Sequence, residues 1–225
     1  ESGKSLVGNI ILGRSAFVVG KRTARSVRAE GEVHGRHLTV VDTPGWYCHS
    51  LLEKTSVIDK LEIRRSVSLC PPGPHVILLT VPIAIAFNKP YQIAVEKQMG
   101  LLGKKVWNHT IVLFTRGDWL GDTTIEEQYI ACEGEALQEL VRKCGNRYYV
   151  LVNTWANRSQ VQNLIRMIEL MMARNRGEYF TLKKKEEKMP TKTLTEEEWN
   201  KREDELIERI QTNKSLTNLK FLYFQ

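Results

Sequence analysis

The chain has 225 residues, 42% hydrophobic and 26% charged, which suffices for one ordinary core and a helical appendage. Its longest apolar run, Val76 to Phe87, is interrupted by Thr80 and Pro82 and falls short of the roughly 20 residues a membrane helix needs. The net charge of +7 draws most on Lys183-Lys184-Lys185-Glu186-Glu187-Lys188, a mixed run that reads as a solvated linker and argues against nucleic acid.

Glu1-Ser2-Gly3-Lys4-Ser5 is the back half of a GxxxxGKS phosphate loop, and the helical apolar pattern of Leu6, Val7, Ile10 and Ile11 follows it. Gly31 to Arg36 and the alternating run His37 to Val41 suggest a strand pair with Asp42 at a strand's C-terminal end. That end is the edge of an α/β sheet where ligands bind. A helix is expected over Ser50 to Leu69, stopped by Cys70-Pro71-Pro72-Gly73-Pro74. His75 to Ile83 reads as a central parallel strand covered on both faces. Pro90 suits the first turn of the next helix, and His109 to Thr115 is another buried strand.

Thr123 with Glu126 forms a capping box for a helix ending near Cys144-Gly145. Tyr148 to Val152 supplies a further strand, and Ser159 with Gln162 caps a helix that Gly177 ends. A second box, Thr195 with Glu198, opens a charged helix whose apolar stripe is narrow: Leu206, Ile207 and Ile210. It reads as an appendage docked on the domain or on a partner. Leu222-Tyr223-Phe224-Gln225 matches the end of a common protease-cleavage tag and is set aside. Cys48, Cys70, Cys132 and Cys144 have no CxxC spacing and fit a reducing compartment.

The fold class expected is α/β: a P-loop NTPase of G-domain type, with a mostly parallel central sheet flanked by helices and a C-terminal helical extension. Residues 1–180 form the G domain, 181–194 a charged linker, 195–218 the extension and 219–225 a tag-derived or disordered tail. A normal G domain has a buried strand and the start of the phosphate loop before Glu1, and both are expected to be missing here.

A triphosphate needs aligned N–H donors and a cation between its terminal phosphates. Gly3 lets the backbone curl round the anion, Lys4 reaches the transferring phosphoryl group, and Ser5 offers a hydroxyl to magnesium; the cradle runs from Ser2 to Leu6. In Asp42-Thr43-Pro44-Gly45, the carboxylate suits magnesium and Gly45 leaves an N–H for the terminal phosphate. The hydroxyl that completes the metal's shell is Thr23 or Ser26; local sequence leaves both open.

Read together, these residues resemble the AIG1-type G domain of the GIMAP family, the immunity-associated nucleotide-binding GTPases, and especially its fish members. The resemblance runs from Ser2 to about Phe180 and is most specific over Gly73 to Glu96 and His109 to Asp118. It implies GTP or GDP with Mg2+ as ligands and selects Thr23 as the switch threonine. It also implies that Thr115-Arg116-Gly117-Asp118 is the guanine-recognition motif and Asn153 the base-binding asparagine. Guanine offers an N1–H and an amine on one edge, and a carboxylate at Asp118 accepts both where adenine offers no such pair. Arg116 can cover the base, and Trp155 can stack beside it or pack behind the loop.

Trp46 stands where small GTPases commonly carry a water-orienting glutamine, and His49 and Ser50 are the nearby polar candidates, with His49 as the catalytic one. The family's members tend to dimerise across the nucleotide face, but Ile83 to Phe87 lacks the arginine that would serve a partner there; Arg22, Arg25 or Arg28 are substitutes. These readings lead to a slow GTPase switch that self-associates or pairs with a related GTPase, or alternatively to a GTP-dependent scaffold that scarcely hydrolyses. The resemblance further implies an intracellular, cytoplasmic protein at the cytosolic face of an organelle membrane, with a membrane-associated partner.

Overall fold

The computed structural model describes residues 3–46, 52–121, 124–125, 134–152, 158–182, 195–199, 201 and 204–205. Three parallel strands form its centre: β3 (Ile77–Pro82), β4 (Thr110–Thr115) and β5 (Tyr148–Leu151), with β4 in the middle. Every residue of β4 is buried, as the unbroken apolar run requires of a strand covered on both faces. Its alternating side chains feed two cores. Val112 and Phe114 pack with Leu79 and Val81 against α3 (Lys89–Met99) and α4 (Glu135–Lys143). Leu113 faces the other way with Leu151, against α1 (Lys4–Leu12) and α5 (Arg158–Arg174).

The parallel central sheet is as expected, and the strand pair expected before Asp42 lies apart from it. β1 (Val27–Val33) and β2 (Arg36–Asp42) form a separate antiparallel hairpin, paired from Val27↔Asp42 to Val33↔Arg36. Its two-residue turn, His34-Gly35, has φ of 49° and 70°, the positive values that match the twist of a tight hairpin. Helix α1 joins the two sheets: Val7, Ile10 and Ile11 share a cluster with Leu113 and Leu151 on one side and with Leu38 and Val40 on the other. The anticipated Ser50–Leu69 helix is also shorter. Ser56 caps α2 (Val57–Ser66) by accepting the Asp59 N–H, and 3-10 turns at Leu52–Lys54 and Val67–Leu69 flank it.

Asn88 caps α3 through the Tyr91 N–H, with Pro90 in the first turn. Gly145, at φ 64°, turns the chain away from α4 into β5. The Thr123–Glu126 box lies outside the described residues. Ser159 sits inside α5, which already begins at Arg158, while Gln160 turns back and brackets Val152 through both its N–H and its carbonyl. The second box forms: Thr195 N donates to Glu198 Oε2 at 2.7 Å, and Glu198 N to Thr195 Oγ1 at 3.2 Å. The short helical segment after it docks through Trp199, which is buried against Ala24 and Ile58. The stripe of Leu206, Ile207 and Ile210 lies outside the described residues. No helix among those described is long and apolar enough to cross a membrane.

Candidate functional site

Three chain segments meet at the carboxyl edge of the strands. Gly3, in left-handed geometry at φ 80°, caps α1 and lies beside Thr115 at the end of β4; a β-carbon on Gly3 would stand 3.9 Å from the threonine. The Val7 N–H reaches back to the Gly3 carbonyl at 2.9 Å, so the helix starts in the loop itself. Asp42 ends β2 and is buried. Ser5 Oγ donates to Asp42 Oδ2 at 2.7 Å, and Thr23 Oγ1 donates to the same oxygen at 2.9 Å. Asp42 Oδ1 is buried without a hydrogen-bond partner among the described residues. Lys4 places its ammonium directly over the backbone of Gly45, where any side chain would collide with it.

Thr23 and Ser26 separate clearly in position. The Thr23 hydroxyl meets Asp42, whereas the Ser26 hydroxyl is buried without a partner among the described residues and its N–H donates to Glu62 Oε1 at 2.9 Å. Arg22 Nη2 spans Asp59 Oδ2 at 3.3 Å and the Gly45 carbonyl at 3.4 Å. The loop's entry is pinned by Asn9, whose side chain accepts the N–H groups of Ala16 and Phe17 and donates to the Phe17 carbonyl at 2.8 Å. Sequence reasoning did not single out Asn9, Asp59 or Glu62. An asparagine inside the apolar run of α1 was the one readable sign, because a buried amide must find partners. Leu6 turns toward the core shared with α5, so only its backbone is available to a ligand.

After β4 the chain makes a sharp turn. Arg116 is in left-handed geometry at φ 64°, and its guanidinium lies 5.7 Å from the centre of the Trp119 ring. Asp118 is exposed on the turn Gly117–Leu120. Gly117 is obligatory for packing: a β-carbon there would sit 2.6 Å from Val150 Cγ1 and 3.3 Å from the Leu151 carbonyl. The turn is therefore pressed onto the end of β5, one strand away from Gly3. Ser2, His49, Asn153 and Trp155 lie outside the described residues.

A hard divalent cation takes oxygen ligands, and Ser5, Thr23 and Asp42 gather two hydroxyls and a carboxylate with one unpaired oxygen. The donor set fits magnesium. Backbone N–H groups at the start of α1 and the Lys4 ammonium beside it suit an anion.

Comparison with known proteins identifies relatives of the chain. Immune-associated nucleotide-binding protein 9 of Arabidopsis thaliana is 32% identical over 195 residues, covering 80% of this chain and 55% of that protein. GTPase IMAP family member 8 of Mus musculus is 31% identical over 150 residues, covering 65% of this chain and 22% of its own length. The chain thus spans about half of the first relative and a smaller part of the second. Among solved structures, Toc33 from Arabidopsis thaliana in complex with Mg2+ and GMPPNP superposes with a TM-score of 0.59 at 15% identity, over 77% of this chain and 81% of that one. That likeness shows the fold. The family match covers residues 1–201, from the phosphate loop to the Trp199 segment, and the chain belongs to the AIG1 family.

Proposed function

We propose that this chain is a guanine-nucleotide switch that binds GTP or GDP with Mg2+, hydrolyses GTP slowly, and self-associates in the triphosphate form. The observation that carries the reading is the cluster of Ser5, Thr23 and Asp42, with a buried, unpaired carboxylate oxygen, beside the N-terminus of α1 and the Lys4 ammonium. Ser5, Thr23 and Asp42 would hold magnesium, which would supply positive charge beside the terminal phosphates. Gly3, Lys4, Ser5 and the backbone of Leu6 cradle the phosphates, and the Gly45 N–H meets the terminal one. Thr23 shares the metal with Ser5 and Asp42. Asp118 accepts the guanine edge, Arg116 covers the base, and Asn153 and Trp155 complete that side.

Relatives named as GTPases and nucleotide-binding proteins support guanine nucleotide as the ligand, and Toc33 has been solved with GDP and Mg2+. Dimerization is described as important for the GTPase activity of the chloroplast translocon components atToc33 and psToc159, which supports pairing with a second copy or a related GTPase. Slow turnover follows from Trp46 in the place of a water-orienting glutamine, leaving His49 as the nearby group for that task. The same substitution favours a second reading, a scaffold that GTP assembles and that scarcely hydrolyses. We place the protein on the cytosolic face of an intracellular membrane, through a membrane-associated partner.

A concentration series separates the two readings. Mass and phosphate release are followed together with GDP, GTP and a non-hydrolysable analogue. The switch gives a dimer only with the triphosphate forms and phosphate release that accelerates with protein concentration. The scaffold gives the dimer without multiple turnover, and unchanged mass in every state removes nucleotide-controlled pairing altogether.

A further inference from the structure

The loop that carries Thr23 is tied to α2 at two points, and both acceptors are buried carboxylates. Arg22 pairs with Asp59, and the Ser26 N–H donates to Glu62. Positions 59 and 62 lie three apart, so they share one face of the helix. Asp59 is held in turn by the hydroxyl of Ser56, the residue that caps α2, and Glu62 has Arg65 at 3.8 Å. These carboxylates are fixed points on a rigid element rather than solvated ends.

Arg22 also contacts the Gly45 carbonyl at 3.4 Å, and Gly45 is the residue whose N–H faces the terminal phosphate in the reading above. A displacement of Gly45 therefore reaches Arg22 directly through the carbonyl, and Arg22 in turn is held by Asp59. The next residue in the chain is Thr23, whose hydroxyl seats on Asp42. We infer that Arg22 and Asp59 are a pair of positioning residues that make the seating of Thr23 depend on the place of Gly45, so that the loop and the turn answer the terminal phosphate as one unit. Glu62, gripping the main chain at Ser26, is the fixed end against which the loop moves. The inference rests on the proposed guanine-nucleotide reading and adds to it the link between the two phosphate-sensing segments.

An ion pair that merely stabilised the fold would weaken every nucleotide alike when cut. A coupling pair acts selectively on the state that has a terminal phosphate and magnesium, since a ligand shifts an equilibrium only through its differential contacts. The test is competition against a fluorescent GDP by GDP and by GMPPNP, with Mg2+ and with chelator, on the full chain and on Arg22→Ala, Arg22→Lys, Asp59→Asn and the Arg22→Ala/Asp59→Asn double variant. Each alanine or asparagine variant is expected to weaken GMPPNP with Mg2+ by about tenfold, while GDP in chelator changes by less than about twofold. The double variant should be no worse than Arg22→Ala alone, because the arginine is the member that touches both Gly45 and Asp59. Arg22→Lys should recover part of the loss.

Equal losses for GDP and GMPPNP, or losses that multiply in the double variant, overturn the coupling. If Arg22→Ala melts below the assay temperature, Arg22→Lys and Asp59→Asn decide: discrimination between the two nucleotides equal to that of the parent chain overturns the inference. A parent chain that binds neither nucleotide removes the underlying reading and this inference with it. A parent that binds both, with variants that discriminate as it does, removes the inference alone.

Discussion

Asp42 stands at the end of a strand, buried, with one oxygen taking two hydroxyl donors and the other taking none among the described residues. Leaving a carboxylate oxygen unsatisfied in the protein interior is costly, and a cation is the partner that would repay it. The two hydroxyl candidates of the neighbouring loop differ at this point. Thr23 lies against Asp42, whereas Ser26 gives its N–H to Glu62 and its hydroxyl to nothing among the described residues. Thr23→Ala is therefore expected to lower the affinity for a GTP analogue with magnesium by roughly tenfold to a hundredfold, and Ser26→Ala by less than about threefold. Titrating Mg2+ at fixed analogue concentration reads the difference; a larger loss in Ser26→Ala would exchange the two assignments. Local sequence could not make this choice, since both residues are small hydroxyls in one glycine-flanked loop. The contact that separates them joins positions 19 residues apart.

Among the elements, those with a strong periodic or capping signal were legible. The phosphate loop running into α1, the buried strands around β4, Pro90 in the first turn of α3 and the Thr195–Glu198 box all follow from local patterns. The separate hairpin was half legible: alternation located β2, but β1 starts at Val27, inside a basic stretch without clean period. What sequence could not supply is which elements touch. Asn9 clasping Phe17, Gly117 pressed on Val150, and α2 holding the Thr23 loop are decided by tertiary approach rather than by propensity. The docked C-terminal segment belongs with them. The pattern pointed to Leu206, Ile207 and Ile210, while the described contact is Trp199 on Ala24, with the Arg25 guanidinium 5.8 Å from the centre of its ring and 2.6 Å from Glu196. The ion pair is exposed and contributes little, so the buried indole carries the docking. Truncating a well-buried tryptophan removes about 3–5 kcal/mol of packing at a core site. Here the loss falls on one segment, and Trp199→Ala should undock it while the global melting temperature moves little. Hydrogen exchange at Ala24, Arg25 and Ser26 is expected to quicken by about tenfold or more; unchanged protection would mean that Trp199 does not hold this loop.

Among the described residues the two largest cores lie on either side of one fully buried strand, with the candidate site on the strand ends and ordinary packing beneath. One buried group ties that packing to pH. Cys144 closes α4 within the core shared with α3, and burial pushes its thiol from the ordinary 9.0 up to about 12, with Arg147 and Lys143 pulling weakly the other way. Between those values the unfolded chain has released the proton and the folded chain keeps it, so unfolding releases a proton and stability falls as pH rises. The slope for this one group is about 1.4 kcal/mol per pH unit in that window. Urea unfolding at a series of alkaline pH values should show it in the parent chain and a shallower fall in Cys144→Ala, whatever the variant loses at neutral pH. Equal slopes would place the thiol in contact with water.

The nucleotide reading itself depends on two features: oxygen ligands around Asp42 for the metal, and the turn after β4 that carries Asp118 for the base. Competition for a fluorescent guanine nucleotide by GTP, GDP and ATP, with Mg2+ and with chelator, engages both at once. GTP and GDP should displace the probe at least about a hundredfold more effectively than ATP, and chelation should weaken GTP more than GDP. ATP displacing the probe as well as GTP does, or no binding of guanine nucleotide under either condition, would contradict it.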